Sequence, residues 1–287
     1  MLFFAGNTVT GRAMHDEMPP MALVFWRQIG AMVLLTPFVY RELHRKWPLV
    51  IQHWRLIAVV GITQVVTGQA MIYAGLQTTT AINTGVIGTT QAPLILVVAW
   101  LLYRSTISLR QGFGLALAII GVLAIVSRGS FGVLLGFDFV IGDLLVQLAT
   151  LSWAVYTTLL RRVPPGLGPY AMTLAATVFG ALGMAPLYAG ELLLTDARMA
   201  VTLPSLAAMA YFIVCSSVLA LVFLTIGVAR IGPVRASAFF YTIPVLTAGL
   251  AVLLLGETLA LYHLVGMVLV LAGVYLASGR RRAAAAG

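Results

Sequence analysis

Charge is scarce in this chain of 287 residues: Asp, Glu, Lys and Arg together supply 9% of it, while apolar residues supply 61%. A soluble globular domain is about a quarter charged. With mean hydropathy of +1.03, this shortage excludes an ordinary soluble domain and points to an integral membrane protein. Cysteine is almost absent: the single Cys215 lies in an apolar run and offers neither a disulfide nor a paired metal site. Histidine is sparse as well, with His15, His44, His53 and His263 scattered through loops and helix ends, none paired with a carboxylate one helical turn away. No HExxH, GxSxG, GxxxxGKS or Asp-rich box occurs. Covalent catalysis needs a nucleophile beside a base, and metal catalysis needs a ligand set. No catalytic residue, metal or cofactor is therefore expected, and a membrane enzyme or lipid flippase is the lesser reading.

Long apolar runs are what the chain has in plenty. They fall near residues 1–13, 19–40, 56–76, 81–103, 111–127, 139–160, 170–190, 205–229, 233–255 and 260–278. A helix of about 20 residues crosses a bilayer core, so the runs predict ten transmembrane helices and an all-α integral membrane fold. The first run is short, and nothing in it has the basic region and small-residue cleavage site of a signal peptide.

A pattern occurs twice. Arg12, Pro20 and Pro37 recur 149 residues later as Arg161, Pro169 and Pro186. Gly75, Thr106, Gly114 and Gly121 recur 152 residues later as Gly227, Thr258, Gly266 and Gly273, and Pro93 recurs as Pro244. A repeat is read before any local motif. It divides the chain into residues 1–128 and 139–287, each with five spans, the second ending in a short basic tail. An odd number of spans per half inverts the second half in the bilayer, and inverted 5+5 repeats are an architecture of transporters.

The basic residues orient the spans. Arg41, Arg45, Lys46, Arg55, Arg104, Arg110, Arg161, Arg162, Arg230, Arg235, Arg280, Arg281 and Arg282 fall on one side, which is 13 of the 17 Lys and Arg residues. Arg12, Arg128 and Arg198 fall on the other, and Arg27 lies within the second span. The acids are reversed, with Glu42 alone among the basic loops. Lys and Arg collect on the cytoplasmic side, so both termini are expected in the cytoplasm of a cell whose inner membrane holds the protein. The net charge of +9 is thus topological, and no nucleic-acid partner is expected.

No Asp, Glu or His lies at mid-depth of a span, although Asp143 is within the first turns of the sixth and Glu257 lies between the ninth and tenth. Proton-coupled carriers commonly keep such a group inside the membrane. Its absence favours facilitative or exchange transport of neutral or zwitterionic molecules. Arg27 has two readings: it meets a substrate carboxylate, or it bonds neighbouring carbonyls or snorkels. The second is preferred, because Phe25 and Trp26 adjoin it and the lining face of that helix is not evident.

Amides and hydroxyls in the spans cost free energy in lipid unless they find partners. They concentrate on alternate helices, which favours a polar and aromatic cavity over purely structural bonding. The candidate substrate-binding residues are Asn7, Gln69, Tyr73, Gln91, Trp153, Tyr156 and Tyr241. Pro93 and Pro244, with Gly88, mark points where helices four and nine can bend and are candidate gating hinges. Gly114, Gly121, Gly266 and Gly273 are spaced for close helix packing.

Gly142-Asp143-Leu144-Leu145, the stretch from Leu151-Ser152-Trp153 to Arg161-Arg162, Ala236-Ser237 with Pro244, Leu255-Gly256-Glu257-Thr258-Leu259 and Leu271-Ala272-Gly273-Val274 resemble the second half of an EamA-type transporter of the drug/metabolite transporter superfamily. The resemblance covers almost the whole chain. It implies ten helices, an inverted repeat, and alternating access around a cavity formed by helices 1, 3, 4, 6, 8 and 9. Within the superfamily the aromatic interior is similar to YddG-like exporters of aromatic and other amphipathic amino acids. In that likeness Trp153, Tyr73 and Tyr241 would line the cavity, and Asn7 and Gln91 would orient the polar end of the solute. Drug or nucleotide-sugar carriers of the same superfamily are the alternative. The expected partners are a small-molecule substrate and the lipid bilayer. A monomer suffices, since two fused halves already form a pseudo-dimer. The sequence departs from the pattern at Tyr103-Arg104-Ser105-Thr106, which stands where the second half has Leu-Gly-Glu-Thr.

Overall fold

The computed structural model describes residues 1–104, 106–130, 132–133, 139–195, 198–220, 223 and 242–278. Among them there is no strand, and the long elements are helices: α1 (Leu2–Ala13), α2 (Pro20–Arg45), α3 (Trp54–Gly75), α4 in two arms (Ala81–Gly88 and Gln91–Tyr103), α5 (Leu109–Val126), α6 (Ile141–Leu159), α7 (Pro169–Leu194), α8 (Leu203–Leu219), α9 (Ile243–Leu255) and α10 (Leu261–Ser278). A short helix, Trp47–Gln52, links α2 to α3. Among the described residues, α2, α3, α5, α6 and α7 are each long and apolar enough to cross a bilayer, and α4 joins them if its arms count as one span. Lipid offers no partner to backbone polar groups, so each crossing segment must satisfy its own, as a helix does.

Local chemistry sets the helix ends. Pro20 opens α2 and Pro169 opens α7, where the missing N–H would have had no partner; both helices run 26 residues. The hydroxyls of Ser108, Thr80 and Thr202 accept the backbone N–H of Gln111, Asn83 and Ser205 at the starts of α5, α4 and α8. Two N-termini are capped across the fold by carboxylates. Glu191 accepts from Met21 and Ala22 at the start of α2 (3.1 and 2.8 Å). Glu257 accepts from Ala81 and Ile82 at the start of α4 (2.8 and 3.0 Å). Arg12 serves the opposite polarity, donating to the carbonyls of Leu76 and Gln77 just beyond α3 (2.6 and 3.3 Å).

α4 is not one straight helix. Its arms meet at 42° across Thr89 and Thr90. Their hydroxyls bond the carbonyls of Val86 and Ile87 (2.6 and 2.7 Å), so the last turn of the first arm closes on side chains. Pro93 sits in the first turn of the second arm, where a proline deprives the helix of little. Pro244 holds the equivalent place in α9. Gly88 lies at the end of the first arm, with no described residue within 4 Å of where a Cβ would stand.

Inside the bundle, α5 lies against α10 and α2 against α7. A Cβ on Gly114 would stand 2.5 Å from the carbonyl oxygen of Gly273, and one on Gly273 would stand 2.5 Å from that of Gly114; Gly121 and Gly266 repeat the relation at 2.9 Å. Close backbone approach of this kind supplies the dispersion contact that holds helices together in lipid. Val9 of α1 packs with Ala81 and Ile82 of α4 and Ala248 and Ala251 of α9. Large apolar side chains such as Leu109, Phe113 and Leu253 point outward.

Candidate substrate site

Arg27 lies two turns into α2 and is buried. Its Nη1 donates to Asn7 Oδ1 on α1 (3.0 Å) and to the Tyr73 hydroxyl on α3 (2.5 Å). Its Nη2 donates to Ser216 Oγ (3.3 Å) and its Nε to Ser217 Oγ (3.0 Å), both on α8. The guanidinium carbon lies 5.8 Å from the ring centroid of Phe212. One side chain thus ties four helices together. This corrects the reading preferred from sequence: Arg27 reaches side-chain oxygens of other helices, not carbonyls or the membrane surface. Gln28 is buried beside it on the same helix.

The hydroxyls pass their protons onward. Tyr73 donates to Asn7 Oδ1 (2.9 Å), as does Ser216 (2.8 Å), and Ser217 donates to the carbonyl of Phe212 (2.8 Å). Asn7 Oδ1 therefore accepts three donors, which fixes the orientation of its amide. Phe212, Ser216 and Ser217 lie in a π-helical stretch, Tyr211–Leu219. A second π-helical stretch, Val65–Gln69, interrupts α3 just before Tyr73. Such widened turns recur at functional sites, and nothing in the residue pattern announced either one. Aromatic rings edge the cluster: Tyr73 meets Phe212 edge-on with centroids 5.7 Å apart, and Tyr211 adjoins Phe212 at 6.2 Å.

The other candidates gather around α6. Gln91 Nε2 donates to Thr157 Oγ1 (3.2 Å) and reaches the Trp153 carbonyl (3.5 Å). Trp153 leans on α3, where a Cβ on Gly68 would stand 3.2 Å from its Nε1. Its ring meets Tyr156 edge-on at 5.3 Å. Tyr156 in turn packs on the apolar cluster of Val50, Ile57 and Ala176. Gln69 is buried, and its Oε1 has no hydrogen-bond partner among the described residues. Tyr241 lies outside the described residues. Asn7 and Tyr73 therefore meet at Arg27, while Gln91, Trp153 and Tyr156 meet at α6.

Further residues were missed from sequence. Ser216 and Ser217 lie 189 and 190 positions from Arg27, so no local pattern joins them to it. Gln147 on α6 approaches Thr90 Oγ1 at the bend of α4 (3.5 Å). Asp143 is fully buried: it accepts from the Thr79 hydroxyl and from Asn83 Nδ2 (3.1 Å) at the start of α4. An apolar cavity of about 190 Å³ touches Thr90, Pro93 and Gln147 and holds none of the Arg27 cluster. Among the described residues no group of three His, Cys, Asp or Glu could hold a metal ion.

A model of the EamA-like transporter family matches residues 1–127 and 140–279. The chain belongs to the EamA-like transporter family. It is 28% identical over 264 residues to the uncharacterized transporter YyaM of Bacillus subtilis, covering 91% of this chain and 85% of that protein. It is 26% identical over 283 residues to an uncharacterized transporter of Archaeoglobus fulgidus, covering 98% and 95%. A crystal structure at 17% identity is similar with a TM-score of 0.58 over 96% of this chain and 95% of the other, a likeness of fold alone. This family member is a multi-pass membrane protein, and its relatives are transporters by name.

Proposed function

We propose that this family member is an alternating-access carrier that exports small neutral or zwitterionic metabolites, foremost aromatic and other amphipathic amino acids, across the inner membrane. The observation that carries the reading is the polar ensemble of Asn7, Arg27, Tyr73, Ser216 and Ser217, in which Arg27, Tyr73 and Ser216 are buried, edged by the rings of Phe212 and Tyr211. A solute with a polar head and an apolar side chain needs such a junction, in which a few placed polar groups orient the ligand against an apolar wall. Gln91 and Trp153 supply a second polar and aromatic pair on α4 and α6. In this reading the chain is a monomer of two inverted halves, residues 1–128 and 139–287, with both termini in the cytoplasm. The family match to two separate stretches and the repeated prolines and glycines support that division. Pro93, Pro244 and Gly88 act as hinges in it.

Transport in this reading is facilitative or by exchange. Purified protein in proteoliposomes loaded with a panel of unlabelled solutes should show counterflow of labelled phenylalanine, independent of an imposed pH gradient. Accumulation that an uncoupler abolishes would overturn uncoupled transport, and indifference to every amino acid in the panel would overturn the substrate class.

A further inference from the structure

The Arg27 cluster is rich in donors and short of charge to receive them. A guanidinium has five N–H donors, and four are used: two from Nη1, one from Nη2 and one from Nε. Every acceptor is a neutral oxygen. Among the described residues no carboxylate lies within ion-pair distance of Arg27. Removing a charge from water costs several kcal/mol even after relaxation, and buried cations are normally paired. Two further donors stand idle: with its oxygen saturated by three hydrogen bonds, the Asn7 amide nitrogen has no partner among the described residues. Asn7 is only partly buried, so this edge of the cluster is open. Ser216 can turn its hydroxyl toward a new acceptor at little cost.

We propose that Arg27, Asn7 and Ser216 form a carboxylate subsite that takes the acidic end of a small amphipathic solute while its apolar part lies along Phe212 and Tyr211. The inference rests on the transport reading above and adds the chemistry that the solute must carry. One unpaired positive charge matches one monoanion. A carboxylate on a guanidinium makes charge-assisted bonds about twice as strong as neutral ones, which the serine and asparagine oxygens cannot supply. A diphosphate would call for further cations, and the described cluster holds one.

The decisive variant is Asn7→Asp. It is nearly isosteric and places a fixed carboxylate where three donors already converge. An internal counter-ion should raise the melting temperature and occupy the subsite. Phenylalanine counterflow should then fall by roughly tenfold or more, the scale of one lost charged hydrogen bond. Arg27→Gln should lose counterflow to a similar degree, and Arg27→Lys should retain part of it. In detergent, 3-phenylpropanoate and phenylalanine should stabilise the wild type against heat, phenethylamine should not, and Asn7→Asp should abolish the difference. Wild-type counterflow in the Asn7→Asp protein would overturn the subsite, as would equal stabilisation by phenethylamine or stronger stabilisation by phenyl phosphate. If the wild type moves no amino acid but carboxylate-dependent stabilisation persists and vanishes in Asn7→Asp, the subsite stands and the transport reading fails.

Discussion

Arg104 and Gly256 hold the same left-handed backbone conformation, with φ of 53° and 67°, each just past a helix of 13 residues. The two are 152 positions apart, the offset of the repeat. A threonine precedes each helix, and Pro93 and Pro244 sit in the two first turns. The point where the halves differ in sequence is therefore a point where the described backbone agrees. Glycine adopts this conformation freely, whereas a side chain there costs about 1 kcal/mol. Arg104→Gly should raise stability by about 0.5–1 kcal/mol, read as a higher melting temperature in detergent. A lower one would mean that the Arg104 side chain supplies an interaction worth more than the strain.

Gly114 should not tolerate even a methyl group. A Cβ there would stand 2.5 Å from the Gly273 carbonyl oxygen and 2.6 Å from the Ala277 nitrogen. Both are backbone atoms of α10 and cannot turn aside, so the helices must separate. Gly114→Ala should destabilise by about 1–3 kcal/mol, the range for overpacking. Gly112 is the control: it lies on the same helix with no described residue within 4 Å of its added Cβ, and Gly112→Ala should be neutral or slightly stabilising. Equal melting temperatures for the two variants would show that α5 and α10 are not held by this contact.

Glu257 should matter through its two carboxylate oxygens. They satisfy the first free N–H groups of α4 from the far side of the chain, where the helix dipole also favours negative charge. Glu257→Ala should cost about 1–2 kcal/mol, and Glu257→Gln less, since one acceptor survives. Hydrogen exchange at Ala81 and Ile82 is the direct readout, and unchanged protection in Glu257→Ala would exclude the cap.

Much of the fold was legible because lipid leaves a chain few options. The apolar runs near 19–40 and 170–190 correspond to α2 and α7, which run on to Arg45 and Leu194. The interruptions were not legible. Thr89 and Thr90 break α4 by bonding carbonyls of their own preceding turn, and threonines serve equally well within intact helices. The π-helical turns in α3 and α8 carry no residue signature. Arg27 was conspicuous as a cation inside a span, and burial obliges it to find acceptors. Which acceptors those are depends on Asn7, Tyr73, Ser216 and Ser217 arriving from three other helices, and no local pattern encodes that meeting.

Trp153 separates a binding role from a packing one. Its indole rests on Gly68 within the π-helical turn of α3, and its carbonyl faces Gln91. If it lines the substrate path, Trp153→Ala should lower phenylalanine counterflow several-fold more than it lowers the folded yield. Equal losses would make it a packing residue. Trp153→Phe keeps a ring without the indole N–H, so its retained activity would assign the role to the aromatic face.

The gate is testable where α1, α4 and α9 meet. Val9, Ala81, Ile82, Ala248 and Ala251 form a small buried cluster at that junction, which the proposed orientation, with both termini in the cytoplasm, would put on the outer side. A carrier that alternates must open this seal once per cycle, because a packed core is bistable and does not deform gradually. Cysteines introduced as Ile82→Cys and Ala248→Cys, in a chain whose single native cysteine is replaced by Cys215→Ser, can be bridged by a short reducible cross-linker. Bridging should lower counterflow by about tenfold or more, and reduction should restore it. Small aliphatic residues are chosen so that the unbridged pair retains most of its activity, which isolates the cross-link as the cause. Normal counterflow in fully bridged protein would show that α4 and α9 do not part during transport and would remove Pro93, Pro244 and Gly88 from the gate.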